Sequence, residues 1–363
     1  MERESDQPLL VEQLVDLQLS LDGTITNLLT AELSNGGSSR LDQSAVDAFV
    51  AEIQEHPLPA DIERLLEEYH ELQDARPVFM WQWVHRLAPQ NTLPCVEREF
   101  TDAVPVDKTI TILFITMLDD LLEKRQDHAT FVELAKIPSA HQTPDTTRDD
   151  VDTEYVEVAQ QVWDTLVDRL QRAPNYEVYV DLLRYDVKQA INGIEYSALA
   201  IQHPDLVTMS DLLRYESHNM VMFAYADIDL MHSPLAVRDD LSTLREAIWT
   251  AQLMARIGNW VSTWERELRE GDYSSGPVVY ALENGVITCA ELDQLREGGQ
   301  EAADELVERI KDQGVEQTLR ARWQQHYHQL QWYNRELSTV DLEPFIEGME
   351  NVLRYHLAST GLK

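Results

Sequence analysis

The sequence predicts an all-α fold, and three observations predict it. Apolar residues recur at three- and four-residue spacing through nearly every long segment between residues 45 and 358. Only 13 glycines and 14 prolines occur among 363 residues, well below average usage, so few positions interrupt a helix. No stretch shows the apolar–polar alternation that marks a half-buried strand.

The helices follow in order. AVDAFVAEIQEH (45–56) and ADIERLLEEYHELQ (60–73) open the series, and ITILFITMLDDLLEKRQ (110–126) is its most apolar member. YVEVAQQVWDTLVDRLQRA (155–173) and YEVYVDLLRYDVKQAINGIEYSALAIQ (176–202) continue it. LREAIWTAQLMARIGNWVSTWERELRE (244–270), residues 302–337 and LEPFIEGMENVLRYHLA (342–358) complete it. Breaks fall where turn-forming residues gather: SNGGSSR (34–40), the polar run 138–152, HPD (203–205), HSP (232–234), GDYSSGP (271–277) and REGGQ (296–300). With no internal repeat, the expected organisation is an N-terminal appendage of residues 1–40 and one helical domain over 41–363.

Charge restricts function. Against 65 acidic residues stand 29 basic ones, giving a formal charge of −36. Phosphate backbones are held by lysine and arginine fields, so a nucleic-acid partner is not expected. An anionic membrane surface is disfavoured for the same reason. No run of eighteen apolar residues occurs and the start, MERESDQPLLVEQ, is charged. Stable membrane insertion and a secretory signal are therefore not expected, and the cytoplasm is the expected location. Two cysteines, Cys95 and Cys289, make no disulfide framework or zinc spacing. A protein of this charge that binds an anionic ligand needs metal ions to mediate the contact.

Two helical patterns carry chemistry. DDLLE places Asp119, Asp120 and Glu123 on adjoining parts of one helix surface. Three converging carboxylates repel one another unless solvated or bound to a cation, and oxygen donors suit Mg²⁺ or Mn²⁺. GNWVSTWERE places Asn259, Thr263 and Glu267 at i, i+4 and i+8, one stripe bearing an amide, a hydroxyl and a carboxylate. Each alone also reads as a solvated helix end or a polar stripe on an amphipathic helix. Other signals are weaker. His326 and His328 have the wrong spacing for a helical metal pair, and HExxH, CxxC, GxSxG and Walker-type loops are missing. Asp227 and Asp229 diverge on a helix, so at least one is expected to cap a helix or face a site entrance.

Together, a DDxxE helix followed by an N-x3-S/T-x3-E helix resembles the class I terpene synthases. In that family the two motifs face each other across the mouth of an α-helical barrel and hold about three Mg²⁺ ions that grip a substrate diphosphate. Two further positions match the family's spacing: Arg214, upstream of Asn259, as a diphosphate-sensing arginine, and Arg354-Tyr355 downstream of Glu267. The resemblance covers residues 75 to 360. Trp260 stands where the family often has aspartate, Arg266 where lysine is common, and Ser217 and His218 occupy the offsets after the sensor.

The resemblance implies a Mg²⁺-dependent carbon–oxygen lyase acting on a linear isoprenyl diphosphate, farnesyl or geranylgeranyl diphosphate foremost, with Mn²⁺ as a substitute metal. Asp119, Asp120, Glu123, Asn259, Thr263 and Glu267 would ligate metal. Arg214, Arg266, Arg354 and Tyr355 would donate to phosphate oxygens. A carbocation needs apolar and aromatic walls, for which Phe114, Met117, Ser217, His218, Phe223 and Trp260 are the candidates, with Trp332 and Tyr333 behind them. Taken singly, each of these side chains reads better as plain core packing. A homodimer is common in the family. Two rivals stay open: a chain-elongating prenyltransferase of the same fold, which usually carries two aspartate-rich motifs, and a non-catalytic helical scaffold.

Overall fold

The computed structural model describes residues 50–72, 76–298 and 300–358; the expected appendage, residues 1–40, lies outside them. Internal contacts divide the chain after Ala48, and every described residue belongs to the second unit, Phe49–Lys363. Among the described residues, 50–54 are helical, fourteen further α-helices follow and no strand occurs, as the apolar periodicity predicts. They are α1 (Ala60–Leu72), α2 (Val78–Leu87), α3 (Val104–Glu123), α4 (His128–Leu134), α5 (Thr153–Leu170), α6 (Tyr176–Gln202) and α7 (Met209–Arg214). Then come α8 (Met222–Met231), α9 (Leu241–Glu270), α10 (Gly276–Glu283), α11 (Cys289–Gly298), α12 (Gln300–Asp312), α13 (Val315–Glu336) and α14 (Glu343–Ala358).

The helix ends follow local chemistry. Pro105 sits in the first turn of α3, where its missing N–H costs no hydrogen bond. The Asp127 carboxylate accepts from the Thr130 N–H to start α4, and Asp152 accepts from the Tyr155 N–H to start α5. Gly271, at φ +88°, closes the 30-residue α9 in the left-handed conformation that favours glycine.

Helix α8 is the hub. It packs against α3, α6 and α9, and each of its ten residues is buried. A helix buried all round must place its polar side chains against partners. Asp229 accordingly pairs with Lys108 of α3 at 2.8 Å, both side chains fully buried. The Lys108 ammonium also donates to the Asn91 carbonyl and the Thr92 hydroxyl, and the Leu93 N–H donates to Asp229. Asp227 is also fully buried, 3.6 Å from Arg245 of α9. The expectation that one of these aspartates caps a helix or faces an entrance is corrected: both are interior, because α8 has no outer face.

The chain between α7 and α8 breaks. A 3₁₀ turn spans Glu216–Met220, and Val221 adopts φ +50°, a strained conformation for a β-branched residue. The turn lies hard against α6, where a side chain on Gly193 would stand 3.0 Å from the Tyr215 carbonyl oxygen. Glycine there permits the close approach. The break turns Glu216 and Ser217 into the interior and leaves Arg214 exposed one turn away.

Candidate functional site

Helix α3 delivers its carboxylates at its C-terminal end, where unpaired carbonyls already make the field negative. Asp120 is fully buried and closely bound by the Tyr69 hydroxyl, by Arg76 at 2.6 Å and by Lys124 at 3.0 Å. Burial alone would raise its pKa, but Arg76, Tyr69 and Lys124 hold it below the usual carboxylate range. Asp119 shares the Arg76 guanidinium at 2.9 Å, yet burial and the neighbouring Asp120 and Asp272 charges leave its carboxyl raised. Glu123 keeps access to solvent although protein surrounds it, as a side chain lining a recess does. Burial first, then the charges of Asp119, Asp272 and Glu267, push it well above the usual range.

Those last two residues belong to the other end of the chain. Glu267, on the last turn of α9, is pushed up to about 7 by burial and by Asp272, with Arg256 and the Thr263 hydroxyl opposing. Asp272 lies in the loop after α9, where it accepts from the Ser274 N–H and hydroxyl. Charges at and just after the end of α9 thus reach the carboxyls of α3: Asp272 acts on both Asp119 and Glu123, and Glu267 acts on Glu123.

The stripe on α9 continues inward. Thr263 bonds the Asn259 carbonyl at 2.9 Å, and the Asn259 side-chain oxygen accepts from Arg256 at 2.9 Å. Arg256 in turn forms a tight ion pair with Glu216, which the break between α7 and α8 holds fully buried. Burial lowers the Arg256 pKa while the charges of Glu267, Asp272, Glu123 and Asp119 oppose the drop. One arginine therefore lies within the field of four carboxylates from both walls.

Arg214 and His218 line a cavity of about 430 Å³ with Gln189, Asn192, Tyr196 and Tyr215. Its size suits a small ligand, and most of these linings are polar. Beside it the rings of His218, Phe223 and Trp249 stand together, with centroids 5.3 to 6.3 Å apart, and Arg245 lies over the Phe223 face at 4.5 Å. Burial lowers the His218 pKa, and Arg245 lowers it further against the Asp186 charge.

The remaining expected residues are placed as follows. Arg266 is partly exposed, paired with Glu270 at 2.5 Å and 3.9 Å from Glu267. Arg354 is exposed and turns to Glu350 and Asn351 of its own helix; among the described residues no ion pair joins it to the carboxylates. Tyr355 is half-buried beside it. Ser217 is fully buried and bonds the Leu213 carbonyl at 2.7 Å. Phe114 is buried with its ring against Trp163 of α5, and Met117 is buried with its carbonyl accepting from Tyr155. Trp260 is fully buried beneath Gly276, where a Cβ would stand 2.4 Å from the indole, and Arg256 covers its ring. Trp332 is half-exposed on α13, its ring packed edge-on against Tyr333.

Sequence reasoning missed Tyr69, Arg76, Glu216, Arg256 and Asp272. Arg256 and Gln252 extend the Asn259–Thr263–Glu267 stripe by the same heptad-like spacing and were open to detection. Arg76 and Asp272 lie outside helices and have no periodic signal.

The donor set consists of hard oxygens crowded by like charge, which fits a divalent cation such as Mg²⁺. Among the described residues, however, no three acidic, histidine or cysteine side chains already stand together as ligands. Arg76 instead takes the cationic place beside Asp119 and Asp120. No described helix is long and apolar enough to cross a membrane.

No family model matches the chain, and no curated protein matches it. Among solved structures it is similar to geranylgeranyl pyrophosphate synthase from Corynebacterium glutamicum, at 15% identity over 99% of this chain and 96% of that one, with a TM-score of 0.47.

Proposed function

We propose that the chain is a Mg²⁺-dependent class I terpene synthase that ionises a linear isoprenyl diphosphate. One observation carries the reading: Glu267 and Asp272, at and just after the end of α9 and remote in sequence from α3, stand near enough to Glu123 that their charges add to burial in pushing its carboxyl up. Such mutual repulsion is what bound divalent cations offset. Asp119, Glu123, Asn259, Thr263 and Glu267 would hold Mg²⁺, with Asp272 an added donor. Asp120 is already saturated by Tyr69, Arg76 and Lys124, so its role is to anchor Arg76 and orient its neighbours.

When bound, Mg²⁺ supplies electrostatic stabilisation of the departing diphosphate. The protein's own cations act beside it. Arg214 faces the cavity with a planar fork suited to phosphate oxygens, and Arg266 stands at the rim next to Glu267. Arg354 would reach phosphate by leaving Glu350 and Asn351, with Tyr355 beside it as a further donor. The Trp249 ring beside His218 offers a carbocation quadrupolar stabilisation, whereas the Phe223 face is already covered by Arg245. Phe114, Met117 and Trp260, all buried, would contribute apolar surface to the pocket wall.

A second reading, a chain-elongating prenyltransferase, is favoured by Asp272, because with Glu267 it gives the second wall two carboxylates in place of one. Incubation with geranyl, farnesyl or geranylgeranyl diphosphate and Mg²⁺ separates the readings. Diphosphate release from one substrate alone supports the lyase; release only when isopentenyl diphosphate is added, with longer chains formed, supports elongation. Glu267→Gln is expected to cut release about a hundredfold, the scale of losing one transition-state stabilising group. Near-normal release from that variant would sink the metal assignment.

A further inference from the structure

Gln252 of α9 is fully buried, yet only one end of its amide has a partner: it contacts the His218 Nδ1 at 3.2 Å, while the other end is buried with none. An unpaired buried amide group costs roughly 1–3 kcal/mol, so nothing in the packing of α9 calls for glutamine there. What the side chain does is hold the imidazole of His218. A half-turn of the amide, which exchanges its two ends, lets Nδ1–H donate to the amide oxygen and leaves Nε2 as an acceptor. His218 itself lines the polar cavity one turn beyond Arg214. Gln189, Asn192, Tyr196 and Tyr215 on the same walls offer the polar donors and acceptors that a water molecule needs.

Resting on the lyase reading above, we propose that His218 is the base of a water-capture step and Gln252 its positioning residue, so that the principal product is an alcohol. Ionisation breaks the carbon–oxygen bond, and the diphosphate leaves with the bonding pair. A lone pair of the cavity water forms the new carbon–oxygen bond at the cationic carbon. One water proton passes to His218 Nε2, giving the neutral alcohol and an imidazolium, which returns the proton to solvent. Burial and the nearby Arg245 charge keep the ring neutral beforehand, as a base must be.

The test uses the full chain, Mg²⁺ and the three linear diphosphates in ¹⁸O-labelled water, with diphosphate release and product composition read separately. The expected result is an alcohol carrying one ¹⁸O per molecule. Gln252→Leu is expected to lower the alcohol-to-olefin ratio about tenfold, and Gln252→Glu, which keeps an acceptor for Nδ1–H, to preserve it. Because the readout is a ratio per turnover, slower variants remain informative. Olefin as the only product, or an alcohol whose oxygen is unlabelled, overturns the capture step while leaving the lyase reading intact. Absence of diphosphate release from every substrate overturns the lyase reading, and the capture step falls with it.

Discussion

Arg76 is the residue on which the carboxylate wall of α3 depends. It contacts Asp119 and Asp120 together, and Asp120 has no exposure to solvent. Removing the guanidinium leaves that buried charge with Tyr69 and a half-exposed Lys124. Losing one partner of a fully buried pair costs about 3–5 kcal/mol; Arg76 is 24% exposed, so about 2 kcal/mol is expected for Arg76→Gln, read by urea unfolding in EDTA. Loss of less than half that would show Asp120 to be satisfied without it. Asp227 tests the interior in a different way. Burial, then Asp186, push its carboxyl well above the ordinary value of 3.8, with Arg245 opposing. A raised folded-state pKa means the stability is complete below the unfolded value and is lost as pH rises through the folded one. Asp227→Asn removes this slope, so its stability relative to wild type should rise as pH increases from 4 toward 8. A difference that stays flat with pH would exclude Asp227 as a buried titrating group.

At the scale of elements, close backbone approach is as decisive as side-chain packing. Helix α14 docks on the 3₁₀ turn Ala88–Asn91, and a Cβ on Gly348 would fall 1.9 Å from the Gln90 carbonyl oxygen. A backbone oxygen cannot swing aside as a side chain can. Gly348→Ala is therefore expected to lift α14 from the turn and to cost about 3 kcal/mol, the upper range of overpacking, seen as a lower urea midpoint. An unchanged midpoint would mean that the two elements separate freely. The helices themselves were legible, because a buried face repeats every three or four residues whatever its partner. The Asp119–Glu123 and Asn259–Glu267 groups were legible for the same reason, since each lies on one helical stripe. Arg76 and Asp272 reach the recess from non-helical segments, and Glu216 turns inward only because the chain breaks at Val221. No periodicity encodes such positions. The fate of Asp227 and Asp229 was hidden too, since α8 is short and only its enclosure by three helices removes an outer face.

For the whole molecule the governing quantity is charge. An excess of 36 negative charges destabilises any compact state by self-repulsion. Exposed pairs such as Arg64–Glu68 and Arg269–Asp304 oppose this locally, but each contributes little in water. Salt screens both effects, and the Debye length falls from about 10 Å at 0.1 M to about 3 Å at 1 M. With acidic residues outnumbering basic ones 65 to 29, long-range repulsion outweighs the short-range pairs, so screening should stabilise. The unfolding temperature is expected to rise by roughly 5 °C between 0.1 and 1 M KCl, what about 2 kcal/mol produces in a domain of more than 150 residues. MgCl₂ at matched ionic strength should raise it further, because ions bound among Asp119, Glu123, Glu267 and Asp272 stabilise the folded chain by mass action as well as by screening. Glu267→Gln should reduce that added increment while leaving the KCl response in place. Equal effects of the two salts at equal ionic strength would mean that the recess binds no divalent cation, and the proposed chemistry would lose its basis.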